Sequence, residues 1–382
     1  MTLFHGGDIQ SASEQFDIPL EDWIDLSTGI SPYAYPVKKL LSTIDSSVFE
    51  RLPYLQKDFS INASRYYGCS SLLAVPGTQS AIQLLPECLA FYTKGPSESG
   101  ASSLPILLPS VGYQEHKTAW AALSKEKGSK ESASTCAYYD AFDLKQATAF
   151  IERSLQENPQ QHLLVINPNN PTGQQFSVKK LQSWANRLSG GGHLIVDEAF
   201  IDTQPENSML SLPLANNVVV LRSFGKFFGL AGIRVGFVFA GKNVLNALHE
   251  KIGLWAINGP AQEIVSQACL DQNWQQTARE EISKASTLSQ SLFGNLFAKF
   301  EVKSIHHNAL FSSYCFDDSV AEKLLHFFAC QGVLLRKIPL QNSEAILRIG
   351  CVHPQQHAKV ALLKIIIQDA ENFFAKLSNK IL

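Results

Sequence analysis

One lysine stands among apolar and glycine residues in the run Arg222-Ser223-Phe224-Gly225-Lys226-Phe227-Phe228-Gly229-Leu230-Ala231-Gly232-Ile233-Arg234-Val235-Gly236. An ammonium in apolar surroundings loses solvation, so its pKa falls and the amine becomes a usable nucleophile. Ser223, three residues before Lys226, and Arg234, eight after it, offer donors suited to phosphate oxygens. The glycines let backbone approach a ligand closely. An amine for an aldehyde and a donor set for a phosphate are together what pyridoxal 5'-phosphate requires. A nucleotide-binding P-loop is excluded. Val220 stands where its first glycine would be, and Phe227 where Ser or Thr would bind magnesium. Taken alone, a lysine in a glycine-rich loop is more often an exposed loop residue, so the rest of the chain must decide.

The elements around this run are legible from apolar runs and turn residues. Leu72-Leu73-Ala74-Val75 reads as a short strand, followed by the turn Pro76-Gly77-Thr78-Gln79 and a helix from Ser80 to Phe91. A helix opening at Thr78 would aim free backbone N–H groups at one point, an anion site, although an ordinary capped helix explains that stretch equally well. Further strands are expected at 105–109, 162–167, 193–196, 218–221 and 235–240, with a helix from about 177 to 188. Asn167-Pro168-Asn169-Asn170-Pro171-Thr172-Gly173 makes a rigid turn after the 162–167 strand. The polar run at 125–135 reads as a solvated loop.

Short apolar strands alternating with helices imply parallel pairing with right-handed crossovers. In such sheets ligands gather beyond the carboxyl ends of the strands. Thr78, Tyr113, Asn170, Asp197 and Lys226 all fall at or just past expected strand ends. After a helical section from 241 to about 300, strands at 309–315, 332–336 and 346–350 suggest a smaller α+β domain. The expected organisation is an N-terminal arm and linker over 1–50 that forms part of the small domain, a large domain over 51–255, and a small C-terminal domain over 256–382.

The chain has 382 residues, a net charge of -2 and a pI near 6.6. Near-neutral charge gives no reason to expect nucleic acid or an anionic membrane as partner. Seven scattered cysteines without a CxxC pair suggest free thiols and argue against a structural zinc site. Met1-Thr2-Leu3-Phe4-His5-Gly6-Gly7-Asp8 lacks the basic start and apolar run of a signal peptide, and no apolar stretch reaches membrane-spanning length. A cytoplasmic enzyme is expected.

These motifs, in this order, resemble the fold type I pyridoxal-phosphate enzymes of the aspartate aminotransferase superfamily, and the likeness covers nearly the whole chain. It rests on Asn-Pro-Asn-Asn-Pro-Thr-Gly at 167–173, Asp-Glu-Ala-Phe at 197–200, and Ser-Phe-Gly-Lys at 223–226 with Arg234 beyond. Within the superfamily the chain looks like the histidinol-phosphate aminotransferase branch. Finer features look like the threonine-phosphate decarboxylases of cobalamin biosynthesis: His5-Gly6-Gly7, Asp25-Leu26-Ser27-Thr28-Gly29-Ile30, Arg51-Leu52-Pro53, Gly77-Thr78-Gln79, Tyr113-Gln114-Glu115-His116 and Asp197-Glu198-Ala199-Phe200-Ile201-Asp202.

The resemblance implies an aspartate-aminotransferase-like α/β fold, with a mostly parallel sheet in the large domain. It implies that Lys226 bonds the cofactor aldehyde and that Asp197 faces the pyridine nitrogen, keeping it protonated. Asn170 would donate to the phenolic oxygen and Tyr113 would stack on the ring. Gly77, Thr78, Ser223 and Arg234 would hold the phosphate. Substrate contacts would come from His5, Gly6, Gly29, Asn170, from Arg348 at the α-carboxylate, and from Arg336 at a distal phosphate. Two departures stand out. Phe200 occupies a place where many relatives carry a tyrosine that helps bind the phenolic oxygen. Leu52 stands where aminotransferases of the branch often have a tyrosine reaching the neighbouring subunit, with Tyr54 a possible substitute.

The expected reaction is decarboxylation of L-threonine O-3-phosphate, with a histidinol-phosphate-type amino transfer from glutamate as the alternative. A homodimer is expected, because family sites borrow residues across the subunit interface. A cofactor-sensing transcription regulator of the same fold would need an added DNA-binding domain. The family's motifs begin by His5, which leaves no room for one.

Overall fold

The apolar runs bounded by Pro and Gly become the strands of one seven-stranded sheet. In chain order they are β1 (Leu72–Val75), β2 (Ile106–Pro109), β3 (Cys136–Tyr139), β4 (His162–Ile166), β5 (Leu194–Asp197), β6 (Val218–Ser223) and β7 (Gly236–Phe239). The structure, a computed structural model, describes residues 6–92, 104–125 and 136–378. The candidate residue His5 and the expected loop beyond Lys125 lie outside the described residues.

The strands lie in the order β1-β7-β6-β5-β4-β2-β3. Pairings from β6 through β5, β4 and β2 to β3 are parallel, while β7 is antiparallel to both of its neighbours. The sheet is therefore mostly parallel with one reversed strand. A mostly parallel sheet is what the sequence led one to expect, and strand alternation by itself does not show which strand is reversed. The reversal has a local cause: Ser223 sits opposite Gly236, so the chain between them folds straight back, with no long crossover helix to return it to the other end. β1 runs antiparallel to β7, with Val75 opposite Gly236, which brings its carboxyl end to the same rim as those of β5 and β6.

β4 to β7 are almost entirely buried, as continuous apolar runs with both faces covered should be. Val75, Leu108, Leu164, Ile195, Val219, Leu221 and Val238 pack with Ile82, Leu85 and Leu89 of the helix Thr78–Tyr92. β3 was not legible beforehand. It is an edge strand, Cys-Ala-Tyr-Tyr, and only Tyr139 is buried.

The chain divides into two compact units, Tyr35–Trp274, and Met1–Ala34 with Gln275–Leu382. These limits differ from the expected boundaries at 50 and 255. Residues past 255 join the larger unit because the helix Gly259–Leu270 packs on the helix Lys57–Tyr67, where Asn62 Nδ2 donates to Ser266 Oγ at 2.7 Å. The smaller unit holds an antiparallel sheet in the order Arg336–Pro339, Glu344–Gly350, Phe311–Asp317, Ser304–Asn308. In the same unit Ile24–Asp25 pairs in parallel with Val333–Leu334, which ties the N-terminal stretch to the C-terminal one. Phe293, Phe297, Phe316, Phe328, Leu347 and Ile349 form its core. Among the described residues no helix is long and apolar enough to cross a membrane.

Candidate active site

A pocket of about 130 Å³ opens at the carboxyl rim of the large sheet, lined by residues at or beyond the ends of β1, β2, β4, β5 and β6 and by the stretch leading into β7. β1 ends in the turn Val75-Pro76-Gly77, closed by Gly77 N donating to Val75 O at 2.7 Å. Gly77 has φ +75°, and a Cβ there would lie 3.0 Å from the Arg234 guanidinium. Glycine is needed at that point both for the backbone angle and for the cation's approach. Thr78 then opens a 15-residue helix whose first N–H groups face the rim. Arg234 itself is left-handed, with φ 57°, and its Nη1 donates to Ala231 O at 3.4 Å. A Cβ on Gly225 would meet Ala231 Cα at 2.6 Å, so the loop carrying Arg234 closes directly onto the turn carrying Lys226.

Lys226 sits on the four-residue helix Phe224–Phe227 that follows β6. Phe224, Phe227 and Phe228 are buried around it, with Phe224 and Phe228 stacked at 4.0 Å and Phe228 stacked on Trp274 at 5.3 Å. This aromatic floor fixes the helix and directs the lysine into the pocket. Its Nζ lies 5.6 Å from the centre of the Phe200 ring. Phe200 therefore presents a ring face to the amine and no donor to a ligand oxygen.

Asp197, the last residue of β5, is 3% exposed. Its Oδ2 lies 2.8 Å from His116 Nε2, and its Oδ1 accepts from Ala199 N at 3.0 Å. A carboxylate only accepts, so His116 Nε2 donates to it. Buried and held from two directions, Asp197 presents a fixed carboxylate to the pocket. After β4, Asn167 braces the next turn by exchanging hydrogen bonds with Phe176, at 2.8 and 3.1 Å. Gly173 N donates to Asn169 O at 2.7 Å, and Asn169 Nδ2 to Val111 O at 3.1 Å. This frame presents Asn170 to the pocket. Tyr113 lines the same pocket, edge-on to His116 with centroids 6.3 Å apart. Burial, together with Glu115 and Asp197, pushes its phenol up to about 12, so it stays protonated.

The donor set fits pyridoxal 5'-phosphate. Gly77, Thr78, Ser223 and Arg234 converge at one end, Asp197 and Asn170 line the same pocket, and Lys226 is its amine. A side chain on Gly77 would intrude on the Arg234 guanidinium, so the bare backbone there leaves room for a phosphate beside that cation.

The remaining candidates lie in the smaller unit. Arg336 and Arg348 are cross-strand partners on adjacent strands. Arg348 is buried and its Nη2 donates to Ser27 O at 2.6 Å. Burial first, then Arg336, pushes its guanidinium down to about 10, while Asp25 acts in the opposite sense. Two cations side by side, one largely desolvated, suit an anionic ligand. Gly7 N donates to Ser27 Oγ at 2.7 Å, and a Cβ on Gly6 would lie 2.3 Å from Ser27 O. Gly29 is buried in the same stretch. The structure thus gathers Gly77, Thr78, Tyr113, Asn170, Asp197, Ser223, Lys226 and Arg234 in the larger unit. It gathers Gly6, Ser27, Arg336 and Arg348 in the smaller one.

Several contributors carried no assigned role at the level of sequence. His116, the brace of Asp197, lies inside the quoted Tyr113-Gln114-Glu115-His116 motif, but its partner is 81 residues away. Arg222, just before Ser223, lies buried between Glu198 and Asp202, with Nη1 3.3 Å from Glu198 Oε2 and Nη2 bonded to Asp202 Oδ1. The available signal was the charge of all three in otherwise apolar strand ends.

The model of the family described as aminotransferase class I and II matches residues 21–365. A Pseudomonas aeruginosa protein named threonine-phosphate decarboxylase is 36% identical over 294 residues, covering 76% of this chain and 78% of that one. A Sinorhizobium protein of the same name is 34% identical over 298 residues, covering 76% and 79%. The crystal structure of histidinol-phosphate aminotransferase from Sinorhizobium meliloti in complex with pyridoxal-5'-phosphate superposes with a TM-score of 0.75. It is 19% identical, covering 97% of this chain and 96% of that one.

Proposed function

Because the chain belongs to the class I and II aminotransferase family and is a pyridoxal-phosphate enzyme of that fold, we propose that it decarboxylates L-threonine O-3-phosphate to (R)-1-aminopropan-2-yl phosphate. The observation that carries this reading is the similarity, over three quarters of both chains, to two proteins named threonine-phosphate decarboxylase.

Bound in the pocket, the cofactor supplies an electron sink for the bond that breaks at the substrate Cα. The chain's own residues do the rest. Gly77, Thr78, Ser223 and Arg234 hold the phosphate, Asp197 the pyridine nitrogen, and Asn170 the phenolic oxygen, while Tyr113 covers the ring and Lys226 is the amine for the aldehyde. Arg348 takes the substrate carboxylate in a planar two-pronged contact. Arg336, with the arm around His5 and Gly6, takes the distal phosphate, and Gly29 lies in the same substrate-facing stretch. An anchored phosphate gives the leverage that sets which Cα bond is presented for cleavage. Carbon dioxide leaves, Cα regains a proton, and Lys226 Nζ is the pocket amine able to deliver it. The reading includes a cytoplasmic homodimer that acts on a small phosphorylated amino acid, not on nucleic acid.

The test is carbon dioxide release from L-threonine phosphate by the cofactor-loaded protein without added keto acid, and far less from unphosphorylated threonine. Arg336→Ala should lower kcat as well as raise KM, since the anchor sets orientation in addition to binding. Glutamate-dependent amination of imidazole-acetol phosphate, with no carbon dioxide from threonine phosphate, would transfer the assignment to a histidinol-phosphate-type aminotransferase.

A further inference from the structure

Two motifs noted in the sequence, Gly77-Thr78-Gln79 and Tyr113-Gln114-Glu115-His116, contain side chains to which the proposed reaction gives no task. The fold joins them into a chain of hydrogen bonds. Tyr113 Oη donates to Gln79 Oε1 at 2.8 Å, and Gln79 Nε2 donates to Glu115 Oε2 at 2.6 Å. The directions are forced. A carboxylate only accepts, so it takes the amide nitrogen of Gln79, which turns the amide carbonyl to Tyr113. The phenol has one proton and must give it to that carbonyl. Toward any bound ligand Tyr113 is then an acceptor only. The next residue along, His116, faces the other way, bonding Asp197 and abutting the Tyr113 ring edge-on. The first turn of one helix, Gln114–Lys125, therefore braces two walls of the pocket at once.

We infer that Gln79 and Glu115 are positioning residues that lock the Tyr113 ring across the cofactor and commit its phenolic proton away from the ligand. This rests on the reading that Tyr113 lies against the cofactor, and on the hydrogen-bond chain for the rest. The phenol held at about 12 is consistent with a proton that stays in place throughout catalysis.

The experiment is a set of single and double variants of the cofactor-loaded enzyme, read by the long-wavelength circular dichroism of bound pyridoxal phosphate and by its dissociation constant. Gln79→Ala and Glu115→Ala should each alter the dichroic band and weaken cofactor about two- to tenfold, the range of one hydrogen bond. Glu115→Gln should behave like the parent, because its amide oxygen still accepts from Gln79. In a Tyr113→Phe background, Gln79→Ala should have almost no further effect. If Gln79→Ala keeps its full effect in that background, the relay is refuted. If Tyr113→Ala leaves both band and affinity unchanged, Tyr113 does not face the cofactor, and the inference falls with that reading.

Discussion

Replacing Arg222 with leucine removes the guanidinium from a cluster that ties two strand ends of the active site. Arg222, Glu198 and Asp202 are 2%, 0% and 1% exposed. Arg222 Nη1 lies 3.3 Å from Glu198 Oε2 and 3.0 Å from Ser208 Oγ, its Nη2 bonds Asp202, and its planar group lies 4.7 Å over the Tyr67 ring. Glu198 also accepts from Ser208 Oγ at 2.5 Å and Met209 N at 2.7 Å, so it cannot swing out to water. Removing one partner of a buried ion pair costs about 3–5 kcal/mol. The deficit should depend on pH. Burial already pushes the Glu198 carboxyl above its ordinary value while Arg222 pulls it down, so losing Arg222 pushes it higher. A carboxyl raised in the folded state contributes stability that is complete below its unfolded value, near 4.5, and is lost as pH rises through the folded one. Urea unfolding followed by tryptophan fluorescence should therefore show the larger deficit at pH 8 and a smaller one at pH 5, with Glu198→Gln in the same background recovering part of it. A deficit equal at both pH values, or below about 1 kcal/mol at pH 8, would refute a buried ionic clamp.

Borohydride reduction of the cofactor-loaded protein should leave the adduct on Lys226 in peptide mapping, and Lys226→Ala should abolish turnover while phosphate contacts still retain cofactor. Arg234→Ala removes a charge-assisted contact worth about 1.5–3 kcal/mol, so the cofactor dissociation constant should rise about ten- to a hundredfold, as measured by fluorescence titration. An unchanged constant would remove Arg234 from the phosphate site. Burial first, then His193, pushes the His162 imidazole down to about 3, so the unfolded chain alone takes up a proton there between that value and 6.5. Stability contributed by this group is lost as pH falls below 6.5, by about 2 kcal/mol at pH 5, and His162→Leu should flatten that part of the acid limb in pH-dependent unfolding.

The legible features were those encoded by neighbours in sequence. An apolar run closed by Pro or Gly is a buried strand wherever it occurs, so β1, β2 and β4 to β7 could be read from local pattern. A polar residue at or just past the end of such a run lies at the sheet's rim, and Thr78, Asn170, Asp197 and Lys226 were recognisable for that reason. What the pattern does not contain is direction. Whether β7 runs with or against β6 depends on how Phe224–Phe227 and Gly225 close the return from Ser223 to Gly236, a packing outcome invisible to alternation. Nor does it contain partners. Asp197 could be seen as a site residue, but its brace at His116 arises from a helix that follows a different strand. Gln79, Tyr113 and Glu115 become one relay only when the helices Thr78–Tyr92 and Gln114–Lys125 meet at the rim. The charges of Glu198, Asp202 and Arg222 were plain in the sequence, yet a charge is affordable inside a protein only beside its counterpart. Chemistry was set by residue type and spacing along the chain, whereas orientation was decided by tertiary contacts, because hydrogen bonds and ion pairs act across a few ångströms of space, whatever the distance in sequence.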